Sequence, residues 1–226
     1  MTIRSVLFDV NETLSDMSTL RTRFADVGAP GDLVATWFAG VLRDGFALTT
    51  AGAYADFRDV ADAGLRGLLT ALPRWEGDAA RAAAHILDGF ADLTVHPDVP
   101  DGVRELHAAG LRLATLTNGS AANTERLLSR AGLVEYFTAL LDVGAPRAWK
   151  PAPAAYHYAI DALGADPAET VLVAVHPWDI DGARRAGLQA AWLNRGGAEY
   201  PSVMTAATHT AADLHRLADD LTTTGG

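Results

Sequence analysis

The 226-residue chain contains no cysteine, which excludes disulfides and thiolate metal sites. It is almost without lysine: of 18 basic side chains, 17 are arginine and one, Lys150, is lysine. No uninterrupted apolar run is long enough to cross a membrane, and Met1-Thr-Ile-Arg4 leads straight into a strand with no signal-like segment. A soluble, cytoplasmic protein with no membrane partner is expected. Positive charge is outnumbered by 28 acids, for a net charge of −10. Nucleic acid is therefore not an expected partner, because binding a phosphate backbone draws on basic patches. An anionic substrate would need local positive charge, since the global field opposes it.

What is present is a large apolar fraction, 49 %, enough to bury a sizeable core. Ser5-Val-Leu-Phe-Asp-Val-Asn-Glu-Thr-Leu14 reads as a buried strand ending in a turn. Asp9 follows its apolar run at once, where open α/β sheets place their ligands. From about Ser15 to Leu93 the apolar spacing is helical, as in Leu33, Val34, Trp37, Phe38, Val41 and Leu42. Strand-like runs are absent there, and a small helical bundle inserted after the first strand is predicted.

From His96 onward strands and helices alternate. Strands are predicted at 111–116, 137–143, 169–175 and 189–193, and helices at 103–109, 124–131, from Lys150-Pro151 to Leu163, 182–186 and 211–221, with Thr222 to Gly226 a frayed tail. This alternation implies an α/β fold with a parallel sheet and right-handed crossovers. Asp9, Thr117-Asn118, Lys150 and the loop His176–Asp179 all follow strands and should meet at one sheet edge.

These residue types define a candidate chemistry. Asp9 is the candidate nucleophile, able to form a covalent intermediate with electrophilic carbon or phosphorus. Lys150 is placed to orient it and to stabilise charge, a compact ammonium where the chain otherwise uses arginine; a structural Asp9–Lys150 ion pair is the alternative. Thr13 and Thr117 offer hydroxyls and Asn118 an amide. Asp179 is a second carboxylate, free to assist a water or to cap a helix starting near Ile180.

Together the segments Phe8-Asp9-Val-Asn11-Glu-Thr13-Leu14, Leu116-Thr117-Asn118-Gly119, Lys150-Pro151 and Trp178-Asp179-Ile-Asp181-Gly182-Ala183 resemble the haloacid dehalogenase-like hydrolases, in order and spacing, over the whole chain. The resemblance implies a Rossmann-like, doubly wound parallel sheet core, residues 1–14 and 95–226, with a helical cap domain inserted at 15–94. Phosphatases of that superfamily carry Asp-x-Asp-x-Thr and an acidic pair in the last motif. Here Asn11 and Ala174 stand at two of those acidic positions, which removes a proton shuttle and a Mg²⁺ ligand.

The branch that manages without both is similar to the type II 2-haloacid dehalogenases, and Tyr156, six residues after Lys150, fits it. That resemblance implies no metal and no cofactor, a small carboxylate substrate and a possible homodimer. It further implies that Asp9 attacks the halogen-bearing carbon, that Lys150 and Tyr156 hold Asp9 and the substrate carboxylate, that Thr117 and Asn118 contact carboxylate or halide, and that Asp179 positions water. His176 would donate to substrate carboxylate or halide, and Trp178, with Trp37 and Phe38, would line the apolar part of the pocket. An arginine of that branch falls at Ala29 in a register set on Trp37, with Arg21, Arg23 or Arg43 as its expected substitutes. A phosphatase with an altered metal site and a non-catalytic binding protein on the same fold are the competing expectations.

Overall fold

A computed structural model describes residues 2–223. The first strand, β1 (Ser5–Phe8), is followed by the two-residue β2 (Ser15–Asp16). Four helices come next: α1 (Leu20–Asp26), α2 (Leu33–Thr50), α3 (Phe57–Thr70) and α4 (Ala79–Asp88). The chain returns through β3 (Thr94–Val95) and alternates: α5 (Val99–Ala108), β4 (Arg112–Thr117), α6 (Ala121–Arg130) and β5 (Phe137–Asp142). It continues as α7 (Pro153–Leu163), β6 (Thr170–Ala174), α8 (Pro177–Arg185), β7 (Gln189–Leu193), β8 (His209–Ala211) and α9 (Leu214–Thr223).

Six strands form one sheet in the order β5-β4-β1-β6-β7-β8, and every pairing is parallel. The chain winds outward from β1 to β4 and β5, then crosses back to β6, β7 and β8. The strand order therefore reverses at β1, and the crevice at its carboxyl end is the binding position of a doubly wound sheet.

The pleat explains the continuous apolar run. Val6 and Phe8 join one core cluster with Val103, Leu106, Leu214 and Leu217, from α5 and α9. Leu7 joins the other with Tyr156 and Ile180, from α7 and α8. Both faces are covered, and burial of each of these β1 side chains contributes about 1.5–3 kcal/mol. Helices α1–α4 belong to the Leu7 cluster, through Phe24, Trp37, Leu65 and Ile86 among others.

Several sequence expectations need correction. The stretch 15–94 is not wholly helical: β2 and β3 pair antiparallel, Ser15 with Val95 and Asp16 with Thr94, and close the base of the helical layer. Strand β8 occupies 209–211, so the last helix starts at Leu214 and not at Ala211. Helix α5 begins at Val99 and α6 at Ala121, where the Ser120 hydroxyl accepts from Asn123 N–H at 3.2 Å. Helix α8 begins at Pro177, five residues before the expected start at Gly182, because proline at the first helical position needs no hydrogen-bond partner. Of the expected frayed tail, Thr222 and Thr223 are helical, and the remainder lies outside the described residues. Among the described residues no helix is long and apolar enough to cross a membrane.

Candidate active site

Asp9 sits one residue past β1, and its N–H donates to Val173 O at 3.0 Å, so the ladder with β6 fixes its backbone. The residue is 4 % exposed. Thr13 Oγ1 donates to Asp9 Oδ2 at 2.7 Å and accepts from Val175 N–H at 3.1 Å. One hydroxyl thus ties the turn after β1 to the end of β6.

Lys150 is fully buried, and its Nζ donates to Asp9 Oδ1 at 2.9 Å and to Asp179 Oδ2 at 2.6 Å. Tyr156 Oη donates to the other Asp179 oxygen at 2.6 Å. A buried ammonium bridging two buried carboxylates leaves the trio with one surplus negative charge. Burial pulls the Asp9 carboxyl up, yet Lys150, His176 and the Thr13 hydroxyl hold it below its ordinary range. Burial also pushes Asp179 up, and burial together with the Asp9 charge outweighs the lowering by Lys150. Burial lowers Lys150, but the two carboxylates more than compensate and hold it above its ordinary value. The Tyr156 phenol is raised well above its usual range by burial and by Asp179, so it remains a donor. The same cluster thus lowers one carboxyl, Asp9, and raises the other, Asp179, which separates the two in acidity.

Asn118 bonds the backbone of Lys150 from both ends of its amide. Its Nδ2 donates to Lys150 O at 3.1 Å and its Oδ1 accepts from Lys150 N–H at 2.8 Å. It grips the backbone of the lysine from the end of β4. Thr117 Oγ1 accepts from Gly119 N–H at 2.9 Å and stabilises the same turn. The Tyr156 hydroxyl is hydrogen-bonded to Asp179, while Asp9 acts on it through its charge. Asp179 lies three residues into α8, buried, and the residue before that helix is His176, so Asp179 is not its cap.

His176 Nε2 faces three acceptors: Asn11 O at 3.2 Å, Glu12 Oε2 at 3.5 Å and Asp9 Oδ2 at 3.8 Å. With three acceptors around it, Nε2 is the ring nitrogen that carries a proton. Trp178 stacks on the His176 ring at 5.1 Å with 17° between planes, and the Phe38 ring lies 6.3 Å from it. Trp37 is a core residue of the helical layer, with Nε1 donating to Ala61 O at 3.1 Å. Beside Asn11 and Thr117 is a cavity of about 20 Å³, walled by Phe57 and Phe90. A larger one of about 320 Å³ shares that aromatic pair and reaches Tyr54, Asp56 and Asp142.

The expected arginine is not replaced at the trio. Ala29 is buried after α1, its N–H bonded to Phe24 O at 3.0 Å. Arg23 pairs with Asp92 at 2.6 Å and Arg43 with its neighbour Asp44 at 2.8 Å. Arg21 lines a separate cavity with Glu12, Asp16 and His96. Among the described residues, the cationic or cationisable groups contacting Asp9 are Lys150 and His176.

Sequence reasoning missed three contributors. Glu12 adopts a left-handed φ of 64°, which turns its side chain toward His176, and burial with the Asp9 charge raises its pKa. Gly182 has no Cβ where one would come within 2.6 Å of Tyr156 Oη, and only its place in the last motif marked it. Arg195 donates to Thr13 O at 3.0 Å and pairs with Asp98, and nothing in the sequence signals it.

A buried Asp–Lys–Asp trio thus lies at the switch point of a doubly wound sheet, under a helical layer, where such sheets bind their ligands. Residues 3–187 match the haloacid dehalogenase-like hydrolase family, and the chain belongs to it. It is 32 % identical to the (S)-2-haloacid dehalogenase of Pseudomonas sp. strain YL, over 86 % of this chain and 84 % of that one. The solved L-2-haloacid dehalogenase RSc1362 matches with a TM-score of 0.90 and 28 % identity, over 98 % of this chain and 99 % of the other. The L-2-haloacid dehalogenase of Xanthobacter autotrophicus, solved with chloropropionic acid covalently bound, matches at 0.83 and 26 %, over 96 % and 98 %.

Proposed function

We propose that this protein is a hydrolytic dehalogenase of short 2-haloalkanoic acids that works through an ester on Asp9 and uses no metal. The observation that carries the reading is the Lys150 ammonium bridging Asp9 and Asp179. It supplies in covalent form the positive charge that two buried carboxylates require. The covalently bound chloropropionate of the Xanthobacter relative supports it.

In the first step an Asp9 oxygen attacks the carbon that bears the halogen. A carbon–oxygen bond forms, the carbon–halogen bond breaks, and its electron pair leaves on the halide. Lys150 and Thr13 hold the carboxylate in place, so little orientational freedom is lost at the transition state. His176 lies beside Asp9 Oδ2 and offers an N–H to an incoming anion. Esterification removes the Asp9 charge, which frees the Lys150 proton that pointed at it. Water then attacks the ester at the Asp9 carboxyl carbon, and Asp179, tuned upward, takes the water's proton. The acyl carbon–oxygen bond breaks, its electron pair leaves on the substrate oxygen, and that oxygen takes up a proton to become the hydroxyl while the Asp9 carboxylate is restored. The products are a 2-hydroxy acid, halide and one proton. The aromatic walls and the small inner cavity favour a short alkyl chain.

The test is free halide from chloroacetate and from each enantiomer of 2-chloropropionate, in EDTA, with Asp9→Asn alongside. Halide from wild type and none from the variant is the expected result. A phosphatase would instead hydrolyse a phosphate monoester, and only with Mg²⁺ restored. No halide from any substrate would overturn the dehalogenase reading.

A further inference from the structure

Trp149 directly precedes the single lysine of the chain, and it enters the helical layer rather than the sheet. Its side chain is fully buried. The indole stacks on Phe57 at 6.0 Å with 22° between planes. Its Nε1 donates to Ala55 O at 3.1 Å, and its backbone N–H donates to Thr49 Oγ1 at 3.1 Å. On α2, Gly45 leaves the room: a Cβ there would come within 2.3 Å of the indole. Contacts thus come from α2, from the connection after it and from the first residue of α3. Lys150 itself is gripped by Asn118 from the opposite side, at the end of β4. The lysine is therefore located by two layers at once, its own backbone by the sheet and its neighbour by the helices.

We propose that Trp149 is a positioning residue: seated among the helices, it holds the Lys150 ammonium on the line between Asp9 and Asp179. Two bonds of 2.9 and 2.6 Å from one Nζ leave little slack. Loosening the indole lets the backbone at 149–150 drift, and the ammonium then reaches water instead of one of its acids. For catalysis this rests on the dehalogenase reading; for the position of the lysine it does not.

Because Lys150 carries the only lysine amine in the chain, an amine acylating reagent reads its burial directly. Full-length wild type and Trp149→Ala are treated with acetic anhydride at mildly alkaline pH, and acetylation of the Lys150 peptide is followed by mass spectrometry. Trp149→Phe, which keeps a ring against Phe57, should retain most of the protection. Leu69→Ala, a buried site in α3, is included to match the loss of thermal stability. The expected result is acetylation of Lys150 at least about tenfold faster in Trp149→Ala than in Leu69→Ala, with kcat for halide release down about 100-fold and KM within about threefold. Equal protection in the two variants overturns the proposal. Where Trp149→Ala does not fold, Gly45→Ala, which displaces the indole, is compared with Leu69→Ala by the same criterion. Wild type that releases no halide removes the dehalogenase reading, while the acetylation comparison still decides the role of Trp149.

Discussion

Thr13 holds two groups with one oxygen, and the site depends on both bonds. Valine has nearly its shape but neither donates to Asp9 Oδ2 nor accepts from Val175 N–H. Thr13→Val therefore leaves a partly buried N–H without its partner and removes a charge-assisted bond, at a cost of about 1–3 kcal/mol. The expected outcome is a lower urea midpoint, and a fall in kcat larger than any change in KM, since Asp9 loses its orientation. A variant with unchanged kcat would confine Thr13 to stability. At this scale the identities of the groups were legible, and so was the pairing of Asp9 with Lys150, while the partners of Asn118 and Tyr156 were not. Asp9 after an apolar run and a lone Lys150 before a proline stand out in the sequence. That Asn118 grips the lysine's backbone, and that Tyr156 contacts Asp179, depends on side chains from four different elements converging, which no local pattern encodes.

Helix α8 carries Asp179 into the site, and its packing against α7 is set by one missing carbon. A Cβ on Gly182 would lie 2.6 Å from Tyr156 Oη and 2.6 Å from Pro151 Cβ. In an isolated helix, Gly→Ala gains about 1 kcal/mol. Here the phenol cannot yield without giving up Asp179, and the proline adjoins Lys150, so overpacking costs about 1–3 kcal/mol instead. Gly182→Ala is expected to lower the thermal midpoint and to reduce halide release. A stabilised, fully active variant would show that Tyr156 has room to move. Elements of this length and periodicity were legible: the faces of α2 and α3 emerge as the spacing of Trp37, Val41, Ala61 and Leu65 implies. The missed strands β2, β3 and β8 are two or three residues long. Their existence is decided by the partner strand, because so short a segment holds too few side chains to show a period.

Across the whole molecule, the alternation of strands and helices implied the doubly wound sheet, and the strand order then decides which loops share a crevice. It brings Asp9, Lys150 and Asp179, from three separate strand ends, into one buried cluster whose charge ties stability to pH. Lys150 is held above its ordinary value of 10.5. A group whose folded pKa is raised contributes stability that is complete below its unfolded pKa and is lost as pH rises through the folded one. Asp9, held below 3.8, does the reverse: its contribution is present above that value and disappears as pH falls through the lowered one. Asp179, raised, opposes Asp9 in sign, since its burial as a charged group costs stability that protonation relieves. Replacing Lys150 with methionine leaves two buried carboxylates without a counter-ion, a loss of about 3–5 kcal/mol. The difference in thermal midpoint between wild type and Lys150→Met is expected to stay level from about pH 6 to about pH 9 and to shrink above about pH 10.5, as wild type loses the same charge. A gap that holds constant into strong alkali would mean that the lysine contributes by packing its methylenes, and that the two acids are satisfied without it.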